Sequence, residues 1–296
     1  MKKDLLTGVF PPMVTPFIDE EVDYKGLISN IKKLNKSELK GYFILGTNGE
    51  FKSLTTDEKL KIIQTVVDES SDEKVIMAGT AAESTKETID TTIEAAKLGV
   101  DLVSILMPHF FRKYITNQVM IDYIIDVANA SPVPIVLYNN PSVAADILIT
   151  TDVIKEVADH PNVIGMKDSS KGNYKKYIEI TQDKEFFIVA GSASFFYESL
   201  QAGAVGGVLS LANVFPKECS QLYNLFNNNE FDEAFELNKK LVELNKKVSG
   251  FKGVAAVKKA AELVGFSAGP PRLPIKKLNV QETKILKNNL LTSDFY

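Results

Sequence analysis

A lysine closes the apolar run in NVIGMKDS, where the preceding residues read as an interior strand of a parallel sheet. Lys167 therefore needs either a task or a route to solvent. A primary amine in an apolar site loses the hydration that stabilises its charge, so its pKa falls from about 10.4 towards neutrality and the free amine becomes nucleophilic. Such an amine forms a Schiff base with a ketone, and the protonated imine accepts electrons as a neighbouring carbon-carbon bond breaks or forms. The same position also fits a strand-end lysine that snorkels to water or pairs with Asp168. Tyr138, in VLYNNP, is a candidate proton carrier between imine nitrogen, departing hydroxyl and substrate. A core tyrosine bonded to backbone is its competing reading. In GTNGEF the glycines let backbone N–H groups approach a ligand carboxylate, with Thr47 and Asn48 as side-chain donors, although such turns also occur with no ligand.

These residues need a scaffold that brings them together. Eight short apolar or β-branched runs, GVFPPMVTP, KGYFILG, KVIMAGT, VDLVSILMP, VPIVLYNNP, NVIGMKDS, FFIVAGS and AVGGVLSLA, each close on Gly, Pro, Ser, Asn, Thr or another breaker. Amphipathic stretches such as TTDEKLKIIQTVVDES and STKETIDTTIEAAKLG lie between them and read as crossover helices. Eight such units predict a (β/α)8 barrel, and no GxGxxG opens a helix as a dinucleotide-binding doubly wound sheet would require. From residue 226 the pattern is helical only, so we expect a barrel over residues 1–225 and a C-terminal helical extension over 226–296. A barrel carries its active site at the C-terminal strand ends. There Gly46, Thr47 and Asn48 follow the second strand, Tyr138 ends the fifth, Lys167 the sixth, and Gly191 with Ser192 the seventh.

Composition narrows the function. The 296 residues are 45% hydrophobic and 24% charged with a net charge of -4, and the basic residues are spread along the chain. Nothing in that distribution favours a nucleic-acid or membrane-surface partner. No apolar stretch approaches the ~18 residues of a membrane span and no signal-peptide pattern opens the chain, so a cytoplasmic protein is expected. The single cysteine, Cys219, cannot form an internal disulfide, and with only two histidines no His/Cys metal cluster is expected.

The segments GVFPPMVTPF, GTNGEF, YNNP, GMKDSS and AGSASFFYESLQAGAVGGVLSLANVFP resemble, in order and over nearly the whole chain, the family of dihydrodipicolinate synthase and N-acetylneuraminate lyase, the pyruvate-dependent class I aldolases. Within it, NGEF, HFFRKY, SLANV and GFSAGPPRLP are most similar to the 4-hydroxy-2-oxoglutarate aldolase-like members. The resemblance implies a carbon-carbon lyase in which Lys167 forms the Schiff base and Tyr138 shuttles protons. It also implies that Thr47 and Asn48 hold the pyruvyl carboxylate, that the backbone around Leu209 lines the pocket, and that Ser169 contacts the distal half of the substrate. Gly191 and Ser192 are further candidates. It implies no metal and no organic cofactor, an aldehyde as second substrate, and a homotetramer built as a dimer of dimers.

Two departures weigh against dihydrodipicolinate synthesis. Val143 stands where the synthases carry an arginine for the aldehyde's carboxylate, and Phe110 and Phe111 occupy the segment that supplies their relay tyrosine. Arg112 offers a replacement carboxylate contact but reads first as solvated surface, as does His109. The synthase activity itself, a sugar-acid dehydratase working through the same imine, and a non-catalytic 2-oxo acid binding barrel remain as alternatives.

Overall fold

The computed structural model describes residues 2–170 and 172–296. All eight expected strands are present: β1 (Gly8–Phe10), β2 (Gly41–Ile44), β3 (Val75–Gly79), β4 (Leu102–Leu106), β5 (Ile135–Asn139), β6 (Val163–Asp168), β7 (Phe187–Ala190) and β8 (Gly206–Val208). Successive strands pair in parallel from β2 through to β8, and β8 returns to β1. The ring closes between β1 and β2 through the Lys40 amide on the Val9 carbonyl (3.0 Å), the Phe43 amide on Pro11 (3.0 Å) and the Met13 amide on Phe43 (2.8 Å). This is a TIM barrel. A two-stranded hairpin, Phe17–Ile18 with Glu21–Val22, follows β1 and was not foreseen.

Helices α1 (Tyr24–Leu34), α2 (Thr56–Glu69), α3 (Thr85–Lys97), α4 (Asn117–Ala130), α5 (Thr151–Val157), α6 (Tyr174–Thr181), α7 (Phe196–Gln201) and α8 (Pro216–Asn227) cover the outside because their apolar faces match the outward-pointing side chains of the strands. Thr55 and Glu58 form a reciprocal capping box at the start of Thr56–Glu69, and the Ser84 hydroxyl accepts the Glu87 amide at the start of Thr85–Lys97. The lumen is filled by Leu6, Phe10, Phe43, Val75, Met77, Leu102, Val136, Ile164, Val189 and Val208. The C-terminal helices α9 (Phe231–Lys247), α10 (Ser249–Leu263) and α11 (Val280–Leu291) follow the barrel, and Leu241, Leu244, Ala256, Val257 and Leu286 join the barrel's outer core.

One irregularity decides where the chemistry points. Ile135 is opposite Val163, but Val136 is opposite Gly165, so β6 carries one extra residue, a β-bulge. Ile164 packs in the lumen while Val163 and Met166 pack outside. Without the bulge, strict alternation from Ile164 would turn Met166 inward and Lys167 outward. With it, Lys167 lies level with Tyr138 on one side and with the lumenal Val189 on the other. Glycine is required beside the bulge, since a Cβ on Gly165 would stand 2.2 Å from the Phe187 carbonyl oxygen. Gly165→Ala is expected to destabilise the fold by about 1–3 kcal/mol through this overpacking, read as a lowered thermal midpoint.

Candidate active site

Lys167 is buried at the lumenal mouth with its Nζ 3.9 Å from the centroid of the Tyr138 ring and 5.0 Å from that of Phe43. The two rings meet edge to face, with centroids 6.2 Å apart. Asp168 does not neutralise the amine. It points to the opposite face of β6, where its Oδ1 accepts from Asn139 Nδ2 (2.8 Å), the Ser170 amide (3.2 Å) and the Ser170 hydroxyl (2.6 Å). The solvent-seeking and ion-paired readings of Lys167 are thus both set aside. Burial pulls the Lys167 amine below the ordinary lysine range, and the neighbouring Tyr138 only partly opposes this.

The Tyr138 hydroxyl lies 3.2 Å from Thr47 Oγ1 and accepts a bond from Asn140 Nδ2 at 2.9 Å. Burial pushes this phenol up, but the Lys167 charge and the hydrogen bonds outweigh it, and the net position is below an ordinary phenol. That lowering depends on the ammonium, so amine and phenol titrate as a pair. Behind them, Asn139 Nδ2 also reaches the Tyr177 hydroxyl (3.2 Å), and Asn139 Oδ1 accepts the Ile149 amide (3.1 Å). This outer network fixes the strand ends of β5 and β6 one residue beyond Tyr138 and Lys167.

Thr47 and Asn48 sit in a turn whose internal bonds run from the Gly49 amide to Gly46 (3.1 Å) and from the Glu50 amide to Thr47 (3.1 Å). The amides of Thr47 and Asn48 are not donors in that pattern. Asn48 Nδ2 donates to the Ser210 hydroxyl at 2.8 Å, which links the turn to the end of β8. Leu209 is fully buried there, its amide bonded to the Phe10 carbonyl (2.9 Å).

The remaining candidates lie at the ends of β6 and β7. The Ser169 amide bonds to the Asn139 carbonyl (2.8 Å), and Gly191 bonds to that of Asp168 (2.8 Å). A Cβ on Gly191 would sit 1.9 Å from Ser169 Oγ, so only glycine permits this approach. Ser192 is occupied structurally: its hydroxyl accepts the Ser194 amide (3.2 Å) and Asn245 Nδ2 (3.5 Å) from α9.

A cavity of about 170 Å³ opens beside Thr47, lined also by Phe51, Lys52, Leu106, His109, Val143 and Ile275. His109, expected at the surface, is part of this lining. The Glu83 carboxylate holds it there through the amides of His109 and Phe110 (both 2.9 Å) and sits 3.2 Å from Lys52 Nζ. Phe110, Phe111 and Tyr114 are 77%, 61% and 73% exposed on the same loop. Sequence reasoning missed Asn140 and Ser210, although both are polar residues at strand ends, the place where a barrel collects its functional groups. Among the described residues no group of three His, Cys, Asp or Glu side chains is placed to hold a metal ion, and no helix is long and apolar enough to cross a membrane.

A lysine-tyrosine pair at the mouth of a parallel eight-stranded barrel, beside the turn of Thr47 and Asn48, matches the class of pyruvate-dependent class I aldolases. Comparison with known proteins agrees: the chain belongs to the dihydrodipicolinate synthetase family, whose pattern matches residues 5–292. It is 30% identical over 295 residues to the 4-hydroxy-tetrahydrodipicolinate synthase of Methanospirillum hungatei, covering 98% of this chain and 100% of the relative. It is 32% identical over 289 residues to that of Methanothrix thermoacetophila, covering 97% and 96%. The chloride-inhibited dihydrodipicolinate synthase of Acinetobacter baumannii, solved in complex with pyruvate, superposes with a TM-score of 0.93 at 26% identity, covering 98% of this chain and 100% of that one. The protein is a carbon-carbon lyase of the aldolase type.

Proposed function

We propose that Lys167 forms a Schiff base with the keto carbon of a 2-oxo acid whose pyruvyl half sits against the turn of Thr47 and Asn48. The observation that carries this reading is the inward-turned, carboxylate-free amine 3.9 Å from the Tyr138 ring. The free amine adds to the keto carbon, and the Tyr138 hydroxyl protonates the departing oxygen as water leaves. In the cleavage direction Tyr138 then takes the proton of the substrate hydroxyl, the carbon-carbon bond breaks to give the aldehyde, and its electron pair passes to the iminium as an enamine. Protonation of the enamine carbon and hydrolysis release pyruvate and return the amine. Thr47 bridges to the phenol and completes the proton path, while Leu209, Ser169 and Gly191 shape the walls; Ser192 has the weakest support, being committed to its cap.

The aldehyde half is assigned to the cavity beside Thr47. Val143 presents methyl groups there, which favours an aldolase for an aldehyde without a carboxylate at that position. The names of the relatives support the synthase reading instead. Condensing pyruvate with aldehydes that do and do not carry a carboxylate separates the two. We assign a homotetrameric assembly and a cytoplasmic setting to the same reading. The exposed rings of Phe110, Phe111 and Tyr114 support association, which sedimentation would measure.

Borohydride reduction in the presence of pyruvate tests the chemistry directly. A pyruvyl adduct on Lys167, located by peptide mass spectrometry, is the expected result, and no adduct in folded protein would overturn the reading. Because burial depresses the amine's pKa, the free base is populated at lower pH than for an ordinary lysine. The initial trapping rate is therefore expected to rise with pH and level off well below the ordinary lysine range.

A further inference from the structure

The turn that presents Thr47 and Asn48 ends on a residue in a conformation it would not choose. Glu50 has φ +54° and ψ 37°, left-handed geometry that a β-carbon disfavours. Its carboxylate is fully buried and so is the partner that meets it, Lys258 of α10, with Nζ to Oε1 at 2.8 Å. The same ammonium donates to the Thr15 carbonyl (2.8 Å) and lies 4.2 Å from the centre of the Phe17 ring. The second carboxylate oxygen accepts the backbone amide of Arg272 (2.8 Å), and the Arg272 guanidinium grips Glu58 and the Ser53 carbonyl. On the preceding residue, the Gly49 carbonyl accepts the Thr15 hydroxyl at 2.7 Å.

Gly49 and Glu50 therefore tie the turn to the Thr15 segment and to the C-terminal extension, immediately after Thr47 and Asn48, whose side chains reach Tyr138 and Ser210. A buried ion pair is seldom a gain in stability over well-packed apolar side chains, because both charges must be desolvated. Its value here lies in direction: an apolar side chain at residue 50 could fill the space but could not hold the turn by hydrogen bonds to two separate segments of the C-terminal extension.

We infer that Lys258 and Glu50 are positioning residues that fix the turn and thereby set the affinity for the carboxylate end of the 2-oxo acid. This rests on the Schiff-base reading above. The pair touches no reacting atom, so its loss changes recognition of the carboxylate and leaves imine formation on Lys167 intact at saturation.

The test measures the ketone concentration that gives half-maximal borohydride-trapped adduct on Lys167, with pyruvate and with acetone, a ketone lacking the carboxylate. The double variant Glu50→Gln/Lys258→Met removes both charges together, so no buried ion is stranded. Glu50→Asp keeps the charge and tolerates the left-handed turn but shortens the arm, and it supplies the same readout if the double variant does not fold. The expected result is a rise of about tenfold or more in half-saturating pyruvate, an unchanged maximum adduct, and unchanged half-saturation by acetone. Unchanged half-saturation by pyruvate, or an equal rise for both ketones, would overturn the positioning role. No adduct in the wild-type protein would instead remove the Schiff-base reading on which it stands.

Discussion

Lys167→Ala is expected to reduce turnover to background, a loss on the order of 10³-fold or more, because the proposed mechanism joins this amine covalently to substrate. The groups that flank the position cannot substitute for it: they are the rings of Tyr138 and Phe43, and Asp168 faces away into its network with Asn139 and Ser170. Lys167→Met fills the same space without an amine and is expected to be equally inactive, which separates the chemistry from the packing. Turnover is measured as pyruvate release, with circular dichroism confirming the fold. Wild-type turnover in either variant would mean that the imine mechanism is wrong.

Tyr138→Phe is expected to lower kcat by ~10² or more while leaving the 2-oxo acid bound. The ring that sits 3.9 Å from the amine is retained, and only the hydroxyl that contacts Thr47 and Asn140 is lost. Lys167 also loses the group that partly holds its charge, so its pKa is expected to fall further in the variant. Imine trapping by borohydride should therefore persist, slowed at the dehydration step. An effect confined to KM would assign Tyr138 to binding rather than to proton transfer.

Much of this was legible in the sequence. Each barrel strand announces itself because a buried parallel strand needs a short apolar run and a breaker to end it. NVIGMKDS, VLYNNP and GTNGEF place a lysine, a tyrosine and a threonine at strand ends, so the meeting of Lys167, Tyr138 and Thr47 at one barrel mouth is readable from the sequence. What periodicity cannot express is contact between distant segments. Glu50 and Lys258 are 208 positions apart, and Lys258 sits in a run, VAAVKKAAEL, where a lysine looks like ordinary helix surface. The place of His109 beside the cavity was hidden for the same reason: Glu83, on another loop, accepts the backbone amides of His109 and Phe110. The hairpin after β1 escaped notice because two-residue strands carry no alternation to read.

The bulge in β6 shows that the inward turn of Lys167 is specified by a count as well as by an identity. Pairing the same residues without the bulge would leave every side-chain type in the sequence yet set Met166 opposite Tyr138 and deliver the amine to the helix layer. A one-residue slip between β5 and β6 is therefore far more damaging than most substitutions in either strand.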